Sequence, residues 1–387
     1  MAAAALVALP AVAQTGAAAN PTPQVIRVGP AHPVKTIADA ARQARDGATI
    51  EVDAGTYRGD VAVWTQRDLT LRAVGGRVHL IADGAAAEGK GIWVVRSPQM
   101  TVEGFDFEGA KVPDRNGAGI RFEQGWLRVR DCSFMRNEMG LLTGNDPTSV
   151  LEVEASEFAH NQRPDGHNHN LYAGTIARLS VTASYFHHAR SGHLLKSRAA
   201  VNHIFYNRLT DEGGGAASYE LEFAGGGIAY VVGNVIEQSA TTQNPHLISF
   251  GVEGYVHPVN EIYLINNTLV DKRAQGGIFL RVQPGAGVVR AVNNVLAGGS
   301  SRLEEAGPGE YRDNFRVDLS DFADAAQSDY RLRPRSSLLG KASDPGSANG
   351  GQALAANREY VHPRSTRALA ARAANPGALQ SLAGSPR

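Results

Sequence analysis

Two kinds of short strand-forming segment alternate along the chain between about residue 90 and residue 300. Segments of the first kind alternate apolar and polar positions and end on Phe, Leu or Ile. Their last residues recur every 23–33 positions, at Phe107, Phe134, Phe158, Phe186, Leu209, Ile236, Leu269 and Leu296. A repeat of this length is typical of a solenoid, in which each repeat packs only against its neighbours.

Segments of the second kind lie between copies of the first. They are GIWVV (91–95), GIRF (119–122), GLLT (140–143), NLYAG (170–174), HLLKS (193–197), YELEF (219–223), HLISF (246–250) and GIFLRV (277–282). No helical pattern of about 10–15 residues separates these strands, which argues against a doubly wound fold. We therefore predict an all-β fold, a single-stranded right-handed parallel β-helix over residues 25–300.

A polar residue stands two positions before the end of most first-kind segments. These residues are Ser156, Ser184, Asn207, Asn234, Asn267 and Asn294. Short polar side chains of this type tolerate tight bends and hydrogen-bond to nearby backbone. We predict that they stack as a hydrogen-bonded ladder along the axis of the β-helix.

The two ends of the repeat region have other patterns. Residues 36–46 predict a short amphipathic helix, capped by Thr36 and stopped by Gly47, which would cover the open end of the first coil. After residue 300 the periodicity fades, and we expect residues 301–387 to form a C-terminal tail that packs on the β-helix. Cys132 is the single cysteine, so no internal disulfide is possible, and its place in a repeated strand predicts a core residue.

The first residues, MAAAALVALPAVAQ, are apolar and contain an Ala-x-Ala pattern at 11–13. This is typical of a signal peptide. We therefore expect a signal-peptide-like segment at 1–13, a low-complexity leader at 14–24, and a periplasmic or secreted protein; a disordered alanine-rich tail is the alternative. No apolar run reaches about 18 residues, so no membrane span is predicted.

Charge narrows the choice of ligand. Lys plus Arg and Asp plus Glu both number 38, so the formal net charge is zero. This argues against a nucleic-acid binder that depends on bulk positive charge. A local basic patch at 187–208 would instead suit an anionic ligand.

Seven of the twelve histidines lie between His160 and His203. Equivalent residues of adjacent coils stack about 4.8 Å apart in a parallel sheet, so NLYAG, HLLKS, YELEF and HLISF should form consecutive strands of one surface. Strict alternation predicts outward side chains at Tyr172, Lys196, Glu220 and Glu222, and leaves the direction of His193 open.

These residue types suit β-elimination in a uronate polysaccharide. That reaction needs a base for the C5 proton, an acid for the leaving oxygen, and cations that neutralise the carboxylate. Lys196 and His193 are the candidate bases, with Arg198 expected to push Lys196 towards neutrality. Tyr172 or His169 is the candidate acid, and Arg198 would bind the substrate carboxylate. The expected substrate-binding residues are His167, Asn170, Arg190, Glu220 and Glu222.

The run GHLLKSRAAVNHIFYNRL (192–209), followed by GNVI (233–236), resembles β-helix polysaccharide lyases of the chondroitinase B and alginate lyase type, within the pectate-lyase-like superfamily. The resemblance implies that Lys196 is the catalytic lysine. The family has acidic calcium ligands where this chain has residues 189–192 (ARSG), and its catalytic arginine falls near Ala224. We therefore expect no metal or other cofactor. Calcium could bind only without the family's ligands. In a lyase without calcium, Arg198, Arg190 or a histidine would take the place of the metal.

Three other hypotheses stay open at this point. Glu220 and Glu222, roughly 7 Å apart between Cα atoms on a regular strand, could be the acid–base pair of an inverting glycoside hydrolase. His167 and His169 with His187 or His193 could bind zinc. A non-catalytic glycan-binding β-helix is the third, although Trp64, Trp93 and Trp126 lie in early coils, away from the histidines.

Overall fold

The computed structural model describes Met1 and residues 24–163, 165–299, 302–304 and 309–384. Apart from Met1 and Gln24, the predicted signal segment and leader lie outside these residues. The described chain is a right-handed parallel β-helix, as predicted, and each complete coil contributes three strands. No helix in these ranges is long and apolar enough to cross a membrane.

We name the three faces by their order in a coil. The first face contains Val25–Val28, Gln99–Glu103, Trp126–Arg130, Val150–Glu154, Arg178–Thr182, Val201–Phe205, Ile228–Val232, Glu261–Ile265, Val288–Val292 and Glu310–Arg312. The second face contains Phe105–Glu108, Ser133–Met135, Glu157–Ala159, Tyr185–His187, Arg208–Thr210, Val235–Gln238, Thr268–Asp271, Val295–Gly298 and Phe315–Val317. Thr49–Arg58 and Leu69–Ile81 run through both faces, which join in one sheet.

The third face is the groove face, a separate sheet of ten parallel strands. Its strands are Ala62–Trp64, Gly91–Val95, Ala118–Phe122, Met139–Thr143, His169–Ala173, His193–Ser197, Tyr219–Phe223, His246–Phe250, Ile278–Val282 and Arg302–Glu304. Eight of them correspond to the second kind of segment predicted from the sequence, whereas Ala62–Trp64 and Arg302–Glu304 were not predicted.

A sharp bend divides each first-kind segment into two strands, where the sequence predicted one. The residue at the bend has left-handed backbone, for example φ 48° at Ala155, 55° at Ala183 and 55° at Tyr206. The ladder residue follows it directly. Buried positions are three residues apart across the bend, as from Val129 to Cys132 and from Val153 to Ser156, so alternation shifts by one residue there.

The predicted ladder is present. Asn234 accepts hydrogen bonds through Oδ1 from the backbone N–H of Asn207 at 2.9 Å and from its Nδ2 at 3.1 Å. Its own Nδ2 donates to the carbonyl of Ile204 at 2.8 Å and to Oδ1 of Asn267 at 3.0 Å. The ladder continues through Ser184, whose N–H donates to Asn207 at 2.9 Å. It satisfies buried backbone groups that the bend removes from the sheets.

Apolar side chains fill the interior between the three faces. Phe107, Phe134, Phe158 and Phe186 stack coil on coil, with ring centroids 4.7–5.0 Å apart and nearly parallel planes. Cys132 is fully buried, as predicted.

The predicted N-terminal helix is shorter than expected. It spans Ile37–Gln43, with Thr36 as N-cap accepting from the N–H of Asp39 at 3.0 Å. It ends at Gln43 because Ala44 is already extended, so the prediction that Gly47 stops it was wrong.

Beyond Val317 the chain contacts the β-helix from outside. The N–H of Asn357 donates to the hydroxyl of Tyr206 at 3.1 Å, and Asn349 Nδ2 donates to Glu261 at 2.9 Å. This segment contains two short helices of 3-10 type, Leu319–Asp321 and Ala325–Gln327. It also contains two antiparallel strand pairs, Phe322–Asp324 with Asp329–Leu332 and Arg358–Val361 with Ser365–Ala368.

The ladder predicts a large cost for one asparagine. Asn234→Ala leaves the buried N–H and amide of Asn207 without their acceptor, so we expect destabilisation of about 2 kcal/mol or more. Chemical denaturation of the purified variants measures it. Asn145→Ala, which removes one exposed hydrogen bond to Thr175, is the matched control and should cost less than about 1 kcal/mol. Equal costs would contradict a structural role for the ladder.

Candidate active site

The groove face does not alternate strictly, and this departure sets the direction of its side chains. Leu194 and Leu195 are consecutive, yet both are fully buried in the core. The strand register pairs His169 with His193 and Leu171 with Leu195, and is interrupted between them. His193 and Lys196, three positions apart, therefore both point outward.

Two outward rows result, each with one residue from each of four consecutive coils. The first is a row of rings, His169, His193, Tyr219 and His246, whose successive centroids lie 4.5, 5.2 and 6.4 Å apart. The second row is Tyr172, Lys196, Glu222 and Ser249, which are register partners in consecutive strands.

Lys196 is the centre of the charged part of this surface. Its Nζ lies 2.9 Å from Oε2 of Glu222 and 2.7 Å from Oε1 of Glu253. Arg198 also binds Glu253, with Nε 3.1 Å from Oε2. The predicted proximity of Lys196, Arg198 and Glu222 is thus present, and a second carboxylate joins them.

Glu253 was missed by the sequence reasoning. It lies in the loop between Phe250 and Glu261, which the 33-residue interval between Ile236 and Leu269 makes longer than its equivalents. The N–H of Glu253 donates to the carbonyl of Ala224 at 3.0 Å, and His257 Nε2 donates to the carbonyl of Arg198 at 2.9 Å. These bonds fix the loop over the groove face. Loop length was the only sequence signal for this contribution.

Lys196 carries its proton in this arrangement. Burial lowers its pKa, but Glu222 and Glu253 outweigh burial, so the pKa lies above its ordinary value. The prediction that Arg198 pushes Lys196 towards neutrality was wrong, because two carboxylates contact the ammonium directly. Burial raises the pKa of Glu222, and His193 with Lys196 bring it below its ordinary value, so this carboxylate is ionised.

The two histidines of the ring row differ in their hydrogen bonding. His193 Nδ1 lies 3.1 Å from Oε2 of Glu222, an ion-pair distance without hydrogen-bond geometry. His169 Nδ1 accepts from the backbone N–H of His193 at 3.2 Å. Burial, followed by the charges of His193, Lys196 and Arg198, holds the pKa of His169 well below its ordinary value. His169 is therefore neutral, with its remaining proton on Nε2.

Tyr172 lies beside these groups on the same surface. The guanidinium carbon of Arg198 is 5.3 Å from the centre of its ring, a cation–π distance. The ring centroid of His169 lies 5.5 Å from that of Tyr172, with the two rings stacked. The structure thus gathers Tyr172, His169, His193, Lys196 and Arg198 in one place, and all five were candidates from the sequence.

Two predicted groove residues point inward, so those predictions were wrong. Glu220 is at the position equivalent to Leu194 and is fully buried. Neither of its carboxylate oxygens has a hydrogen-bond partner in the described part of the chain. Burial, and then Asp211, raise its pKa well above the ordinary value, so it is a neutral acid. Asn170 is buried as well and donates to the carbonyls of Phe158 and His187 at 3.1 and 2.9 Å.

This placement removes the hydrolase pair Glu220 and Glu222. Glu220 lies inside the β-helix, whereas Glu222 lies on the groove face, because Glu220 occupies the first of two consecutive inward positions. A pair of glutamates two residues apart on a regular strand would have shared a face.

His167 and Arg190 lie away from these contacts. The side chain of His167 is 82% exposed in the loop before the groove strand. Arg190 is exposed and lines a different cavity, together with Arg163 and His160. Among the described residues, the histidines that come within metal-ligand distance of one another include neither His167 nor His169.

Comparison with known proteins shows the fold. Pectate lyase Pel9A is 13% identical, with a TM-score of 0.61 over 92% of this chain and 97% of that chain. Pectin methylesterase PemA from Erwinia chrysanthemi is 12% identical, with a TM-score of 0.33 over 79% of this chain and 95% of that chain. No family model and no curated protein matches the sequence. The first likeness establishes a pectate-lyase-like β-helix, as the sequence predicted.

The buried acid makes stability depend on pH. The pKa of Glu220 is raised in the folded protein above about 4.3, its value in an unfolded chain. Its contribution is therefore present below about pH 4 and is lost as pH rises through the folded pKa. Glu220→Gln removes this loss. The melting temperature of the variant minus that of the unaltered protein should therefore increase from pH 4 to pH 8.

Glu154→Gln is the matched control, since Glu154 is 53% exposed on the first face. A melting-temperature difference between Glu220→Gln and the unaltered protein that stays constant across this pH range would show that Glu220 is already ionised in the fold.

Proposed function

We propose that this chain is a carbohydrate-active enzyme that cleaves a uronate-containing acidic polysaccharide by β-elimination. The observation that carries the proposal is that Lys196 and Arg198 both bind one loop carboxylate, that of Glu253. Two cations that hold a carboxylate on an open surface are suited to hold the carboxylate of a uronate. Glu253 is 41% exposed, so substrate can replace it.

His193 is the base in this proposal. Because Oε2 of Glu222 lies 3.1 Å from Nδ1, the tautomer protonated at Nδ1 would be favoured, and its lone pair on Nε2 would accept the C5 proton. Lys196 was an equal candidate from its sequence, but a protonated lysine between two carboxylates serves better as a cation. It would stabilise the negative charge that develops on the uronate carboxylate when the C5 proton leaves.

Tyr172 is the acid. When Nε2 of His193 takes the C5 proton, the C5–H electron pair forms the C4–C5 double bond and the C4–O4 bond breaks. The leaving O4 receives the proton of the Tyr172 hydroxyl. Arg198, whose guanidinium carbon is 5.3 Å from the ring centre, stabilises the tyrosinate that remains. His193 then releases the C5 proton to solvent, and solvent protonates the tyrosinate. His169, neutral at Nδ1, would contribute a hydrogen bond from Nε2.

The shape of the surface supports a polymeric substrate. The two outward rows extend over four consecutive coils, so neighbouring sugars along an extended chain would meet successive coils. The likeness in fold to a protein named as a pectate lyase supports the same substrate class.

The purified protein should release products with the ultraviolet absorbance of a C4–C5 unsaturated uronate when it is incubated with a panel of uronate polymers. New reducing ends without that absorbance would contradict β-elimination and indicate hydrolysis. Glu222 and Glu253, which both contact Lys196, would then be the acidic pair to test. Binding of a polymer without cleavage would instead support the glycan-binding hypothesis.

Variants divide the roles on the substrate found in this way. His193→Ala should lower kcat about 100-fold or more, the usual contribution of a general base. Lys196→Met should lower kcat as well as raise KM, because it removes a cation that both holds the carboxylate and stabilises the charge that develops on it. His203→Ala, on the first face, is the control and should keep full activity. Full activity of His193→Ala would overturn its assignment as the base.

Glu253 should behave as a competitor of the substrate carboxylate. Glu253→Gln removes its charge while keeping its size, so Lys196 and Arg198 become more available and KM should fall. Steady-state kinetics at several salt concentrations would measure this, with Glu154→Gln as the control. A rise in KM or a loss of kcat would show that Glu253 acts on the substrate instead.

A further inference from the structure

Three histidines meet at a corner of the β-helix that the proposed reaction does not use. His160 follows the second-face strand Glu157–Ala159, and His188 follows the equivalent strand of the next coil, Tyr185–His187. One ring nitrogen from each of His160, His187 and His188 lies within 4.8 Å of the other two. The cluster spans two adjacent coils.

The hydrogen bonds around His187 leave a lone pair that faces the cluster. Its Nε2 lies 3.2 Å from Oε1 of Glu157, whose carboxylate can only accept, so Nε2 carries the proton. Nδ1 of His187 is then unprotonated and lies 2.5 Å from Nδ1 of His188.

We propose that His160, His187 and His188 bind a zinc ion. Three neutral imidazoles are ligands that suit zinc and similar transition metals, whereas calcium and magnesium prefer oxygen. Zinc–nitrogen distances of about 2.0–2.1 Å require the two Nδ1 atoms to separate to about 3.3 Å, which small rotations of the rings provide.

Glu157 completes the arrangement as an outer carboxylate. A metal-bound histidine commonly donates its other N–H to such a group, which fixes the tautomer and the direction of the ring. Arg364 Nε lies 3.9 Å from the second oxygen of Glu157 and balances its charge. Ring stacking at 4.6 Å between His160 and His188 occurs without a metal, but stacking does not require the carboxylate of Glu157 beside His187.

Four cations line the cavity beside His160 and oppose a metal ion, namely Lys111, Arg136, Arg163 and Arg190. Carboxylate partners limit that effect for two of them. Arg136 binds Glu108, with Nε 2.8 Å from Oε1, and Arg163 binds Asp165 at 2.7 Å. His160 is exposed and lines the cavity that contains both arginines. A fourth zinc position on this side would be open to water or an anion.

A metal at this site would restrict movement at the edge of the groove face. Residues 161–168 lead from His160 to His169, and residues 189–192 lead from His188 to His193. A metal that ties the two starting points together would limit the relative movement of two ring-row residues. This inference is independent of β-elimination, because metal binding is measured without any substrate.

The test uses the full chain without a histidine tag, stripped with a chelator and then titrated with zinc by calorimetry. We expect one zinc per chain, and a cobalt-loaded sample should show the intense visible absorption of a tetrahedral site. His160→Ala combined with His188→Ala should abolish both signals. His79→Ala, which removes a half-exposed histidine from an earlier coil, should retain them.

Circular dichroism would verify that the double variant keeps its β-structure. If it does not fold, His160→Ala alone is the test, because this position is exposed. The single variant should weaken zinc binding at least tenfold. No stoichiometric zinc in the unaltered protein, or zinc bound equally by the variants, would overturn the proposal.

Discussion

Stacking of equivalent residues at one strand spacing per coil is the constraint on which the rest of this structure depends. Each side chain lies about 4.8 Å from its counterparts in the coils before and after it. A buried polar side chain is therefore stable only when its counterpart can satisfy it. Asparagine fulfils this condition at the bend, because its amide donates to the next amide and accepts from the previous one. Phe107, Phe134, Phe158 and Phe186 meet the same condition through ring stacking.

The same constraint shapes the groove face. Like charges in successive coils would repel at that spacing, so a lysine is stable there when its neighbours are a carboxylate and an uncharged ring. Lys196 lies between Tyr172 and Glu222 in the outward row. His193 lies between His169 and Tyr219 in the ring row and shares Glu222 with Lys196. Stacking thus brings a carboxylate, an imidazole and an ammonium group together on one surface, although they do not form a contiguous sequence motif.

Register was readable from the sequence where the repeat kept its alternation. The intervals between Phe and Leu residues gave the coils, the ladder and the outward direction of Tyr172, Lys196 and Glu222. The sequence reasoning failed where two consecutive residues point inward. Leu194 and Leu195 are both apolar, so nothing in their chemistry marks the irregularity, and Glu220 and Asn170 were placed on the wrong side. Glu253 could not be found by register at all, because it belongs to a loop whose return path over the groove depends on backbone hydrogen bonds to Ala224 and Gly225.

Glu220 and Glu222 show how far position in this fold determines chemistry. They stand two residues apart on one strand, with the same side chain and almost the same burial. Glu222 meets a lysine and a histidine, so the energy of those contacts exceeds the cost of burying its charge and its pKa falls. Glu220 meets no cation among the described residues, so burial, and then the nearby Asp211, raise its pKa. The difference arises from one extra inward residue per groove strand, since that residue decides which glutamate faces Lys196. A functional interpretation of any β-helix sequence therefore has to establish where alternation breaks before it assigns roles to acids on the same strand.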